Sequence, residues 1–271
     1  MGQIIIRGVR FTAVALVAVC AAARSILSST TPDSSAISRG SAFPDITDRI
    51  SRSLTLAEGK AIRVEATIAD VTVTGSTRSD VQIQIVRHAP TAAHLSRFAA
   101  VVEEMADGIR VAALQPDDDR DPNVKAEITI ASPMTAPFQA VRVFEGRVRL
   151  ANLKTACDVD LRRGSIEATG LAGRIRLESG LGSIDVRNAE LTPGGMMRLR
   201  VFNGPLRVRF ARQPANARIL AVTFNGKIDS DIPLTKKDRF GPRFGETTLG
   251  TGDPVVSMDV VKGDISITVT R

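Results

Sequence analysis

Gly164-Ser165-Ile166-Glu167-Ala168 returns eighteen residues later as Gly182-Ser183-Ile184-Asp185-Val186. Each is a glycine followed by alternating outward and apolar residues. The same cassette reads Gly146-Arg147-Val148-Arg149-Leu150, Gly173-Arg174-Ile175-Arg176-Leu177, Gly204-Pro205-Leu206-Arg207-Val208, Gly226-Lys227-Ile228-Asp229-Ser230 and Gly263-Asp264-Ile265-Ser266-Ile267. Glycine permits a sharp corner. The alternation after it is the period of a strand with one face buried. Corner-plus-strand units of this kind predict a wound or layered all-β body.

The spacing of the glycines is 18, 9, 9, 22, 22 and 37 residues. Coils of about 18 residues with a mid-coil corner fit the first gaps, and coils of 22 fit two later ones. Strands spaced this regularly also fit a sandwich or barrel. Three related corners help to decide: Val143-Phe144-Glu145-Gly146, Val201-Phe202-Asn203-Gly204 and Thr223-Phe224-Asn225-Gly226. Asn-Gly is a strong hairpin signal. A two-residue hairpin would set Arg200 against Arg207 and Arg142 against Arg149, and like charges directly opposed are unfavourable. At the third corner it would set buried-face Val222 against Asp229. Corners of a coil make no such demand. The expected fold is therefore a single-stranded, β-helix-like solenoid, with a β-sandwich as the alternative.

Upstream, strand rhythm runs through Val64-Glu65-Ala66-Thr67-Ile68, Asp70-Val71-Thr72-Val73 and Asp80-Val81-Gln82-Ile83-Gln84-Ile85. Leu95, Phe98, Val102 and Met105 recur at helical spacing and predict one short amphipathic helix over 91–106, with Gly108 as its stop. Ile109-Arg110-Val111 and Ala126-Glu127-Ile128-Thr129-Ile130 resume strand.

Arg7 and Arg10 precede a run without charge from Phe11 to Ala23, and Ala21-Ala22-Ala23 offers a small-residue cleavage site. Residues 1–23 read as an export signal, with an uncleaved anchor as the alternative. Residues 24–44 read as a flexible tether, since 25–44 hold seven serines, two threonines and two prolines. The expected domain is 45–271. Localisation follows: periplasm, envelope or cell surface. With Cys20 in the signal, Cys157 has no partner, and its parity matches Val159 and Leu161 on a buried face.

Charge is the strongest functional feature. The chain of 271 residues carries +7, yet Val141 to Arg218 hold 14 Arg and one Lys against seven acids, a local +8. Arg147, Arg149, Arg174, Arg176, Arg198, Arg200, Arg207 and Arg209 occupy outward positions. Guanidinium offers parallel donors suited to phosphate and carboxylate. The candidate partner is an anionic envelope polymer or membrane surface. The competing reading is a solvated face in which these Arg residues pair with Asp158, Glu167, Glu178 and Asp185 on neighbouring strands. Nucleic acid is not expected, because ten Phe, no Trp and no Tyr leave few stacking groups.

Other chemistry is weakly signalled. Asp158, Asp160 and Glu167 could serve glycoside hydrolysis on a β-helix face. Asp117 to Asn123 has alternating oxygen ligands, but Pro122 stands where a calcium loop needs glycine. His88 and His94 have no third ligand type beside them. No cofactor motif and no metal site is predicted.

The stretches Phe224-Asn225-Gly226-Lys227-Ile228, Gly250-Thr251-Gly252-Asp253-Pro254 and Val261-Lys262-Gly263-Asp264-Ile265-Ser266-Ile267 carry a family likeness. Over roughly 45–271 the chain resembles the putative-adhesin domain of bacterial envelope proteins. The resemblance implies a right-handed β-solenoid exposed in the envelope, without enzyme activity. The basic face and the helix depart from that pattern. The expectation is a non-enzymatic adhesin-like or scaffold module. A carbohydrate-active β-helix enzyme and a self-assembling interaction module linked to envelope stress are the alternatives.

Overall fold

The computed structural model describes residues 46–116, 118, 120–237 and 241–270. All lie in the unit Phe43–Arg271. The expected signal and tether fall outside the described residues. In chain order the elements are β1 Ile46–Leu54, β2 Ala61–Ser76, β3 Val81–Ala89, α1 Ala92–Arg97, β4 Ala99–Met105, β5 Gly108–Leu114, β6 Lys125–Pro133, β7 Phe138–Ala151, β8 Cys157–Thr169 and β9 Arg174–Arg187. They continue with β10 Met196–Asn203, β11 Leu206–Phe210, β12 Ala217–Asn225, β13 Ile228–Ser230, β14 Thr235–Lys237, β15 Arg243–Leu249, β16 Val255–Lys262 and β17 Ile265–Val269. The protein is all-β, built on one large mixed sheet that does not close.

The middle of that sheet is a parallel ladder. β2 pairs with β7, β7 with β8 and β8 with β9, each along nearly its full length. β9 then pairs with β10 through its first half and with β11 through its second. β10 and β11 continue to β16 and β17, and these to β12 and β13. On the other side β2 pairs with β5 and β6. Each rung thus has two legs meeting near a glycine. The hairpin alternative is not what forms at Gly204: Arg200 lies across from Glu178 and Asp259, and Arg207 across from Asp185 and Ser266.

Glycine is required at the corner by contact as well as by conformation. Gly164 and Gly182 have φ of 130° and 145°, and a Cβ on either would stand 1.7 Å from the carbonyl oxygen of the glycine one rung before. No side chain fits there. The column runs Gly146, Gly164, Gly182, Gly204, Gly263, Gly226. Gly173 stands outside it, above Thr155. A second set of turns repeats at the same 18-residue interval: Asn152, Gly170 and Asn188 are all left-handed, with φ of 56°, 63° and 51°. Beside them Lys154, Ala172 and Glu190 make isolated parallel bridges.

In-register stacking puts like residues above like. Val148, Ile166, Ile184, Leu206, Ile265 and Ile228 form one apolar column on the second leg. Val141, Val159, Leu177, Leu199, Met258 and Ala221 form another on the first. Nearly all are fully buried. Truncating any large member to alanine costs about 2–5 kcal/mol.

One expectation needs correction, and two features go beyond the sequence pattern. The helix predicted over 91–106 ends at Arg97. Thr91 caps it, accepting from His94 N. Phe98 then turns into the core, and Ala99–Met105 pairs antiparallel with β5. β-Branched Val101 and Val102 satisfy a strand at an open edge better than a helix. Rung order does not follow chain order. The rung of Gly263 lies between those of Gly204 and Gly226, and β2 lies between β6 and β7 although it precedes both. Both ends of the ladder carry antiparallel strands: β4 on β5 and β3 on β6, with β1 on β3, at one end; β15 on β12, with β14 on β15, at the other. Among the described residues no helix is long and apolar enough to cross a membrane.

Candidate functional site

The two legs of the rungs divide the eight predicted Arg residues. Arg174, Arg176, Arg198 and Arg200 stand before the corner. Arg147, Arg149, Arg207 and Arg209 stand after it. All point outward, as alternation requires, because the residues flanking them along each strand fill the core.

Their environments differ. Arg176 reaches Glu178 at 3.0 Å and Asp158 at 3.6 Å. Arg147 and Arg149 each lie 3.8 Å from Glu167. These pairs are half exposed, so each is worth about 0–1 kcal/mol. Among the described residues, Arg174, Arg198, Arg200, Arg207 and Arg209 enter no ion pair. Asp185, opposite Arg207 in the ladder, is held instead by Arg187 at 2.8 Å. Pairing across rungs or along a strand therefore serves Arg147, Arg149, Arg162, Arg176 and Arg187 on β7 to β9 but not Arg174, and it serves none of the four Arg residues of the rung 196–210. That rung carries two exposed, unneutralised guanidinium groups on each leg.

Its corner carries exposed aromatic side chains. Phe202 is 61% exposed, and Phe224, two rungs on, is 64% exposed. Their signal was present in the alternation: Val201 and Leu206 face the core, so Phe202 falls on the outer side of the bend. Phe144 occupies the same corner position on β7, but the guanidinium groups of Arg120 and Arg163 lie 4.1 and 5.6 Å from its ring centre.

The hydrolytic constellation is not assembled. Glu167 stands beyond the Gly164 corner, on the other leg from Asp158 and Asp160. Glu178 is the acid brought beside Asp160. Asp158, Asp160 and Glu178 line a small recess with Arg142 and Arg176. Burial raises the Asp158 carboxyl above its ordinary range, against the opposing pull of Arg176. Such a cluster is what alternating outward charges on stacked strands produce.

The histidines lie apart from the Arg rows. His88 is 3.7 Å from the Glu127 carboxylate, and His94 contacts Thr91 and Asp121. Asp121 accepts from the backbone and side chain of Asn123; Asp117 and Asp119 of the acidic turn lie outside the described residues. Among the described residues no group of three or more acidic, His or Cys residues could hold a metal ion. Cys157 is buried, and burial pushes its thiol up to about 12, with Asp158 adding to the shift. At neutral pH it is an unreactive core residue.

A putative cell adhesion protein from Clostridium sporogenes matches with a TM-score of 0.51 at 9% identity, over 83% of this chain and 100% of that one. A putative adhesin from Bacteroides fragilis matches at 12% identity over 82% of this chain and 97% of its own, with a TM-score of 0.29. A putative lipid binding protein from Parabacteroides distasonis gives 10% identity, coverage of 83% and 97%, and a TM-score of 0.26. At such identity the first likeness shows a shared fold alone. No family model matches the sequence. No curated protein matches it either.

Proposed function

We propose that this chain is a non-enzymatic, adhesin-like module of the bacterial envelope, and that it binds anionic surface groups through the Arg residues of the rung 196–210. In this reading the parallel ladder winds as a β-solenoid, exported by its N-terminal segment. The stacked glycine corners and the second set of turns at the same interval support the winding. The likeness to the Clostridium protein supports the adhesin-like class.

One observation carries the binding reading. Arg198, Arg200, Arg207 and Arg209 are exposed on two legs of one rung without a carboxylate partner among the described residues. Elsewhere in the ladder Arg147, Arg149, Arg162, Arg176 and Arg187 each find an acid one rung away or two residues along, and the rung 196–210 is where four guanidinium groups together do not. An unneutralised Arg is free to offer both donors of its fork to a phosphate or carboxylate oxygen.

The test is association with vesicles containing phosphatidylglycerol, and with a soluble polyphosphate, across a salt series. Binding to both at low salt, falling steeply as salt rises, is expected. Absence of binding to either at low ionic strength removes the proposal.

A further inference from the structure

We infer that the corner carrying Phe202, Val261 and Phe224 is a membrane-contact edge, whose apolar tips enter the interfacial zone of an anionic bilayer. The inference rests on the binding reading above and narrows its ligand to a lipid surface.

The ladder register sets one residue from each rung at this bend: Phe144 on β7, Arg162 on β8, Gly180 on β9, Phe202 on β10, Val261 on β16 and Phe224 on β12. Phe202, Val261 and Phe224 are therefore consecutive, about 4.8 Å apart per rung. Leu181, 45% exposed, adjoins them one residue further along β9. Phe144 shows how the same position looks when it is covered, since two guanidinium groups lie against it. Phe202 and Phe224 stand in water. Other Phe residues of the body, Phe98, Phe138 and Phe210, are fully buried. Two exposed Phe side chains on either side of half-buried Val261 mark an interaction edge.

Its shape and surroundings select the partner. The row is one side chain wide. A stable protein interface buries about 800 Å² per partner, which such a strip does not provide. Exposed cations flank it on both legs: Arg200 and Lys262 before or at the bend, Lys227 and Arg207 after it. Three acids stand among them, one of them exposed Asp229, which shares the row of Arg207 and Ser266. Asp259 is half-buried, and Asp264 accepts a hydrogen bond from the Lys227 backbone. Apolar tips rimmed by Lys and Arg suit the boundary between acyl chains and head groups, where the cations meet phosphate.

The chain contains no Trp and no Tyr, so the full-length Phe202→Trp variant holds a single indole reporter. With vesicles containing phosphatidylglycerol, its emission should shift to the blue, and brominated acyl chains should quench it. The Phe144→Trp variant, at the covered position, should show neither change. Phe202→Ser combined with Phe224→Ser should weaken vesicle binding about tenfold to a hundredfold and leave polyphosphate binding unchanged. Salt-sensitive vesicle binding without shift or quenching overturns the membrane edge and leaves the Arg reading intact. Binding to neither ligand overturns both. An indole already blue-shifted before lipid is added shows a protein segment or second copy on the corner, and also overturns the inference.

Discussion

A single glycine decides whether the bend can exist. At Gly164 the left-handed φ and the carbonyl 1.7 Å from a notional Cβ act together. Gly164→Ala should therefore cost about 2–6 kcal/mol in chemical denaturation, combining backbone strain with overpacking. Gly194 also has a positive φ, of 70°, but nothing lies within 4 Å of its Cβ position. Gly194→Ala should cost only about 1–2 kcal/mol. Equal losses at the two sites would contradict the stacked-corner account. This requirement was legible in the sequence, because only glycine tolerates both demands and so it recurs with the alternation. The outward direction of the Arg residues was legible for the same reason. Which Arg finds an acid was not. That depends on the neighbouring rung, and Asp185 could face Arg207 or bend to Arg187, two residues away on its own strand.

The elements at the start of the ladder are held by side-chain clamps more than by the core. β1 is largely exposed and, among the described residues, pairs only with β3. Ser53 on β1 donates to Asp80 at 2.8 Å, and Arg78 grips both oxygens of the same carboxylate. These bonds, Ser53 first, hold the Asp80 carboxyl below its ordinary range. A depressed folded-state pKa gives stability that is present above the unfolded value, about 3.9, and is lost as pH falls through the folded value. Protection factors of β1 amides should accordingly drop on acidification below about pH 4, ahead of those in β8. Asp80→Asn should show the same local loosening at neutral pH. Loss of protection in β1 and β8 together would contradict the clamp. At this scale sequence reading failed at β4. The spacing of Leu95, Phe98, Val102 and Met105 imitates a helix, and both faces of β4 are partly exposed, so no clean two-residue alternation marks the strand. The open edge of β5 decides the outcome, and that edge is formed by residues the local pattern does not contain.

Over the whole molecule, charge and topology act together. The ladder lifts outward residues of distant segments into rows, and the order of those rows is set by pairing, not by chain order. The terminal rung Val255–Val269 inserts between two earlier ones, which brings Val261 between Phe202 and Phe224. No periodicity within a segment announces such an insertion, since a strand with one apolar face fits above any similar neighbour. The central claim is that unpaired guanidinium groups of one rung, not the summed basic charge, carry binding. The direct test compares two variants on vesicles containing phosphatidylglycerol at low salt. Arg198, Arg200, Arg207 and Arg209 are replaced by Ser in one, and Arg147, Arg149 and Arg176 in the other. Each free cation near an anionic bilayer contributes about 1 kcal/mol. The first variant should lose binding about a hundredfold or more, and the second less than about tenfold, because its Arg residues already serve Glu167, Glu178 and Asp158. Equal loss per charge removed in the two variants would contradict the claim.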